Sequence, residues 1–156
     1  MKKAELFARF YNSWRGLNAV YEQYARDAGI SYANLQVLSE LVLSTGKITQ
    51  HSICEKTRLQ KTTVNAIVKT LCESGLLECR SSPDDRRKKV LCLTESGLAY
   101  AGPIMERLTA AETRAFDELS LEDADAMLRG LERYEAALKR ETGQAPAEGE
   151  PSRNGA

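Results

Sequence analysis

Two short apolar runs, Leu76-Leu77-Glu78-Cys79 and Val90-Leu91-Cys92-Leu93, flank a stretch that opens on Ser82-Pro83-Asp84-Asp85 and continues Arg86-Arg87-Lys88-Lys89. Proline and aspartate start turns, and a block of adjacent cations resists burial. The pattern therefore predicts a β-hairpin with a charged, exposed tip. Just before it, Thr49 to Ser74 carries two short helical periods interrupted at Thr57-Arg58-Leu59-Gln60. A tight helix pair followed by a basic hairpin predicts a winged helix-turn-helix, whose natural partner is duplex DNA.

The flanks read as helices. Phe7, Phe10, Trp14, Leu17, Tyr21, Tyr24 and Ala28 alternate three and four apart, drawing one stripe down a helix from Lys3 to Ala28. Such a helix is roughly 39 Å long, much for so small a domain, and Gly29 is its expected stop. Ser31 is placed to cap a second helix to about Leu43, with Leu35, Leu38, Leu41 and Val42 inward. Thr49 caps a third, with Ile53 inward and Leu59 plugging the following turn. The fourth, from Lys61 to about Ser74, buries Val64, Ile67, Val68 and Leu71 and ends at Gly75. After the hairpin a helix runs from Thr94 to about Leu119. Pro103 inside it predicts a bend or break near residues 99–102, because proline removes a backbone donor. Ser120 opens the last helix, to about Arg140, striped by Ala124, Met127, Leu128, Leu131, Tyr134 and Leu138. The fold class expected is mainly α with a small two-stranded β-hairpin.

The chain has 22 basic and 22 acidic residues, so it is no polycation. From Lys56 to Lys89, however, nine Lys/Arg face four Asp/Glu, a local excess of five positive charges. A neutral molecule with one basic face suits steered, site-specific docking rather than indiscriminate binding. Four cysteines, Cys54, Cys72, Cys79 and Cys92, lie within this module. With no leader and no apolar run long enough for a bilayer, a cytoplasmic location and no membrane partner are expected. Gly-rich phosphate loops, a nucleophile elbow and metal-ligand spacings are missing, so neither an enzyme nor a cofactor is expected. His51 and Cys54 are too few ligands for zinc.

Once the buried stripe of the fourth helix is assigned, Thr62, Asn65, Ala66 and Lys69 remain as an exposed row at i, i+3, i+4 and i+7. Such a row can lie in a major groove. Asn65 can pair with an adenine edge, Thr62 and Ala66 can touch thymine methyls, and Lys69 can reach guanine or phosphate. Gln60, Lys61 and Thr63, at the helix start, complete the expected contact set. A solvated helix face is the plainer alternative, and the adjoining basic hairpin outweighs it.

The tip Asp85-Arg86-Arg87, together with the later Leu93-Thr94-Glu95-Ser96-Gly97, resembles the wing of the MarR (multiple antibiotic resistance regulator) family, whose pattern is Asp-x-Arg and then Leu-Thr-x-x-Gly. Leu71-Cys72-Glu73-Ser74-Gly75-Leu76-Leu77 is similar to the family's recognition-helix exit, and the likeness spans roughly residues 5–140. The resemblance implies that Arg87 enters the minor groove, braced by Asp85; Arg86, Lys88 and Lys89 read as phosphate contacts or plain surface charge. It implies a homodimer on an inverted-repeat operator, in which first and last helices of two subunits intertwine. The long apolar stripes of those helices agree, since they exceed what one small winged domain covers. The implied organisation is a dimerisation helix at 1–30, a winged domain at 31–97 and dimerisation helices at 98–142, and the Gly-, Pro-, Ala-, Glu- and Ser-rich stretch at 143–156 reads as a disordered tail. A small aromatic or lipophilic effector is implied as well, with Tyr11, Trp14, Arg15 and Tyr32 as candidate lining. Trp14 also fits an ordinary shared core.

The resulting reading is a transcription regulator, in its simplest form a repressor. One alternative is a cysteine-based redox response, for which Cys79 and Cys92 could face each other across the hairpin. Another is a winged module that binds protein and ignores DNA.

Overall fold

The computed structural model describes residues 2–44, 48–81 and 89–144. In chain order the elements are α1 (Lys3–Asp27), α2 (Tyr32–Leu43), α3 (Gln50–Thr57), α4 (Lys61–Glu73), β1 (Leu77–Ser81), β2 (Lys89–Leu93), α5 (Glu95–Asp117) and α6 (Leu121–Glu141). Chain contacts group residues 1–108 into one unit and 109–156 into another.

Local chemistry sets the boundaries in the first unit. Gly29 and Gly75 adopt left-handed φ values of 74° and 70°. At each, the glycine N–H bonds a carbonyl three residues back and the next N–H bonds one five back, closing the helix end without a Cβ penalty. Ser31 and Thr49 cap α2 and α3 by accepting from the N–H groups of Asn34 and Ser52, both at 3.1 Å. Pro103 lies inside α5, which continues through it unbroken. The break expected at residues 99–102 does not form. Ala101 and Met105 are buried on either side of the proline, and the Tyr24 hydroxyl donates to the Ile104 carbonyl at 2.6 Å. These contacts hold the segment against the loss of one backbone bond.

The core of this unit joins Ala25 of α1, Leu35, Val37, Leu38 and Leu41 of α2, Ile53 of α3, Val64 and Val68 of α4, Leu77 and Leu91 of the strands, and Ala101 and Met105 of α5. Val42, Ile67, Leu71 and Leu59 pack half-buried against it. Val37, fully buried, escapes the sequence reading because it sits one step off the leucine stripe. The lower half of α1 joins this core, while its upper half does not: Phe7, Trp14 and Leu17 are 56, 49 and 55% exposed.

β1 and β2 pair antiparallel, with Leu77 opposite Leu93, Cys79 opposite Leu91 and Ser81 opposite Lys89. Cys92 therefore stands opposite Glu78, one position out from Cys79. A one-residue offset puts side chains on opposite faces of the ribbon, so the two cysteines do not face each other as the redox alternative requires. On its other side Leu91 donates its N–H to the Ile48 carbonyl at 2.8 Å, so β2 is bonded along both edges at that point.

The Leu-Thr-x-x-Gly segment has a structural explanation. The Thr94 N–H donates to the Leu76 carbonyl at 3.0 Å and its hydroxyl to the Gly75 carbonyl at 2.7 Å. The same hydroxyl oxygen accepts from the Gly97 N–H at 3.0 Å, capping α5. Gly97 is buried, and a Cβ there would stand 2.0 Å from the Leu76 oxygen. Threonine and glycine thus let the start of α5 lie directly on the exit of α4.

In the second unit, Ser120 caps α6 by accepting from the Asp123 N–H at 3.1 Å, and Ala124 is buried. Leu121, Leu128 and Leu131 are exposed.

Candidate nucleic-acid interface

The site is built on α4, which turns Val64 and Val68 into the core and leaves Thr62, Asn65, Ala66 and Lys69 exposed as a row, with Lys61 exposed at its first position. The helical period makes both statements at once: fixing the buried stripe fixes which residues project. Thr63, beside the stripe, is half-buried, and Gln60 is the exposed N-cap residue, without a side-chain cap bond. Asp85, Arg86, Arg87 and Lys88 lie outside the described residues.

Two of the projecting side chains are already engaged. The Gln50 side-chain amide, at the first position of α3, donates to Asn65 Oδ1. Lys69 Nζ is 3.7 Å from Glu73 Oε1, an exposed i,i+4 pair of little energetic weight. Lys56 is drawn off to Glu40 on α2, at 3.1 Å. Arg58 and Lys61 make no ion pair among the described residues. They are exposed cations at the turn and at the start of α4.

Arg58 also has the one left-handed backbone among the described non-glycine residues, with φ 59°. This conformation lets the chain reverse between α3 and α4, and the Thr57 hydroxyl accepts the Leu59 N–H at 3.3 Å within the same turn. Neither Gln50 nor Arg58 stands out in the sequence. Gln50 follows a cap fifteen places before Asn65, with no periodic link, and arginine is not a residue that announces positive φ.

The candidate effector residues separate into two groups. Tyr11, Trp14 and Arg15 are exposed on α1, where the Arg15 guanidinium lies 4.5 Å from the Tyr11 ring centroid and Trp14 neighbours Phe10 at 6.4 Å. Tyr32 instead stacks on Tyr21 at 6.1 Å, about 10 Å along the helix from Trp14. Among the described residues no cluster of three or more His, Cys, Asp or Glu could hold a metal ion, and no helix is long and apolar enough to cross a membrane.

Residues 28–88, from the end of α1 to the hairpin, match the model of the MarR family. Over these residues the chain is similar to the MarR family. The structure of NMB1585, a MarR family regulator from Neisseria meningitidis, is 26% identical, covers 92% of this chain and 99% of its own, and superposes with a TM-score of 0.74. A S. aureus MepR–DNA complex shares the fold at TM-score 0.67 and 19% identity, covering 88% of this chain and 96% of its own. So does the PcaV transcriptional regulator from Streptomyces coelicolor in complex with its natural ligand, at TM-score 0.59 and 22% identity, covering 80% and 89%. No curated protein matches the chain. NMB1585 is a MarR family regulator and PcaV a transcriptional regulator.

Proposed function

We propose that this protein is a MarR family transcription regulator that binds duplex DNA as a homodimer, reads an inverted-repeat operator and represses by covering promoter DNA, in the cytoplasm. The observation that carries the reading is the exposed row Thr62, Asn65, Ala66 and Lys69 on a helix whose opposite side is locked into the core, next to a hairpin whose tip sequence is basic. A rigid rod and a cationic finger are what major-groove and minor-groove contact require. Arg87 is the minor-groove residue and Asp85 its brace, with Arg86, Lys88, Gln60 and Lys61 at the backbone.

Dimerisation is supported by the apolar side chains that α1 and α6 leave in water, among them Phe7, Trp14, Leu17, Leu128 and Leu131. A monomer does not ordinarily expose so many large apolar groups on successive helical turns. In the dimer the organisation is a helix at 1–30, a winged domain at 31–97, further dimerisation helices at 98–142 and a tail at 143–156. A small aromatic or lipophilic effector binding beside Tyr11, Trp14 and Arg15 would release the operator by preferring a dimer with its wings displaced.

The test is fluorescence anisotropy on the inverted repeat upstream of the gene against a scrambled duplex, across a salt series. Preference for the repeat is expected, with a log–log salt slope of about −0.9 per phosphate neutralised. Arg87→Ala is expected to weaken both. Equal binding to both duplexes, or a monomer in sedimentation, refutes the proposal.

A further inference from the structure

We propose that Arg58 is a contact to the DNA backbone: its guanidinium binds a phosphate on the rim of the groove that α4 enters, held there by a backbone conformation in which arginine is strained. The inference rests on α4 being the groove-facing helix and adds to it a residue of the preceding turn.

The strain is local to one position. Where the described chain adopts a left-handed φ elsewhere, at Gly29, Gly75 and Gly143, it places glycine, which does so without a Cβ penalty. At the turn between α3 and α4 it places Arg58, at φ 59°. Arginine, unlike Asn or Asp, has no short polar group to ease that conformation by a local bond. Strain of this kind persists only where the surroundings fix it, and it concentrates at functional positions. Here the surroundings do fix it. The Arg58 N–H donates to the Cys54 carbonyl at 3.0 Å, closing α3. On one side the Thr57 hydroxyl donates to the Ile53 carbonyl at 2.6 Å, and on the other Leu59 packs half-buried against the core. With both neighbours held inward, Arg58 is exposed.

Position and charge point to a phosphate. The major groove is about 12 Å wide and a helix with its side chains about 10–12 Å across, so α4 fills the groove. A residue just ahead of the first helical turn then stands at the groove wall, and that wall is sugar and phosphate. Arg58 comes two residues before Gln60, the N-cap of α4, and three before the exposed Lys61. Acids of α2 and α3 are engaged with other partners: Glu55 lies 3.4 Å from His51, and Glu40 3.1 Å from Lys56. A guanidinium offers paired N–H donors that match two phosphate oxygens.

The experiment is anisotropy on the inverted-repeat and scrambled duplexes across a salt series, with a urea midpoint, for wild type, Arg58→Gly and Arg58→Lys. Arg58→Gly removes charge and strain together. It is expected to weaken binding to both duplexes alike, by about tenfold for each subunit bound. The log–log salt slope should be less steep by about 0.9 per subunit, and so by about 1.8 for a dimer. Its urea midpoint should meanwhile rise, so that affinity falls as stability grows. Arg58→Lys keeps both charge and strain. It should hold the wild-type slope and midpoint while binding less tightly, because an ammonium is a point charge without the guanidinium fork. A purely structural role for Arg58 moves stability and leaves the slope alone. Wild-type binding with an unchanged slope in Arg58→Gly therefore overturns this inference and leaves the functional reading standing. So does an Arg58→Lys slope as shallow as that of Arg58→Gly. Failure of the wild type to bind any duplex overturns both.

Discussion

Replacing Gly97 with alanine is expected to cost about 3 kcal/mol, although alanine is the better helix former. The added Cβ would sit 2.0 Å from the Leu76 oxygen, 2.9 Å from the Leu76 carbonyl carbon and 3.1 Å from Leu93 Cδ2. The first two are backbone atoms just beyond the end of α4, so no side-chain rotation relieves them. Either the start of α5 retreats by about 1 Å (a van der Waals contact needs roughly 3.2 Å or more), or the overlap is absorbed as strain of about 1–3 kcal/mol. Retreat loosens the bonds from Thr94 to the Leu76 and Gly75 carbonyls, each worth about 1 kcal/mol. Against this stands a helix-propensity gain of at most about 1 kcal/mol. Gly16 supplies the control. It lies in α1 away from the aromatic stripe, and a Cβ added there would meet nothing within 4 Å, so Gly16→Ala is expected to stabilise by up to about 1 kcal/mol. Urea unfolding followed by circular dichroism, at one fixed protein concentration, reads both. A Gly97→Ala variant within about 0.5 kcal/mol of wild type, the error of such a measurement, refutes the close-approach argument.

Arg58→Gly should raise stability by about 0.5 kcal/mol, the relief of left-handed strain less the extra freedom of glycine in the unfolded chain, as measured by the urea midpoint. Thr49→Ala should lower it by about 1 kcal/mol through loss of the α3 cap, and Thr49→Ser should restore most of that. Burial, followed by the neighbouring Cys79 and Glu73, pushes the Cys72 thiol up from its ordinary value, so at about pH 8 native Cys72 should alkylate more slowly than in urea, by mass spectrometry of the digested protein. The same raised value favours the native state below the ordinary thiol pKa and loses that contribution as pH climbs through the folded one. Stability should therefore decline above about pH 9 in a Cys72-dependent manner.

Helix positions were readable wherever a cap and a period coincided. Ser31, Thr49 and Ser120 cap where their sequence context predicts, and Gly29 and Gly75 end helices in left-handed turns. The buried face of α4, and with it the projecting row, follows from Val64 and Val68 alone. Three matters were not readable. Pro103 signals a break in isolation, but packing at Ala101 and Met105 and the Tyr24 bond come from residues distant in sequence. The hairpin register is decided by where Leu77 and Leu91 enter the core, which places Cys79 and Cys92 back to back rather than face to face. The side-chain link from Gln50 to Asn65 depends on how α3 lies on α4, a relation no single helical period encodes.

Thr94 acts as a latch. With its backbone bonded to one carbonyl beyond α4, its hydroxyl to another and its oxygen to the opening turn of α5, two successive rods share a single joint. Whatever shifts the start of α5 therefore also pulls on the turn that leaves α4.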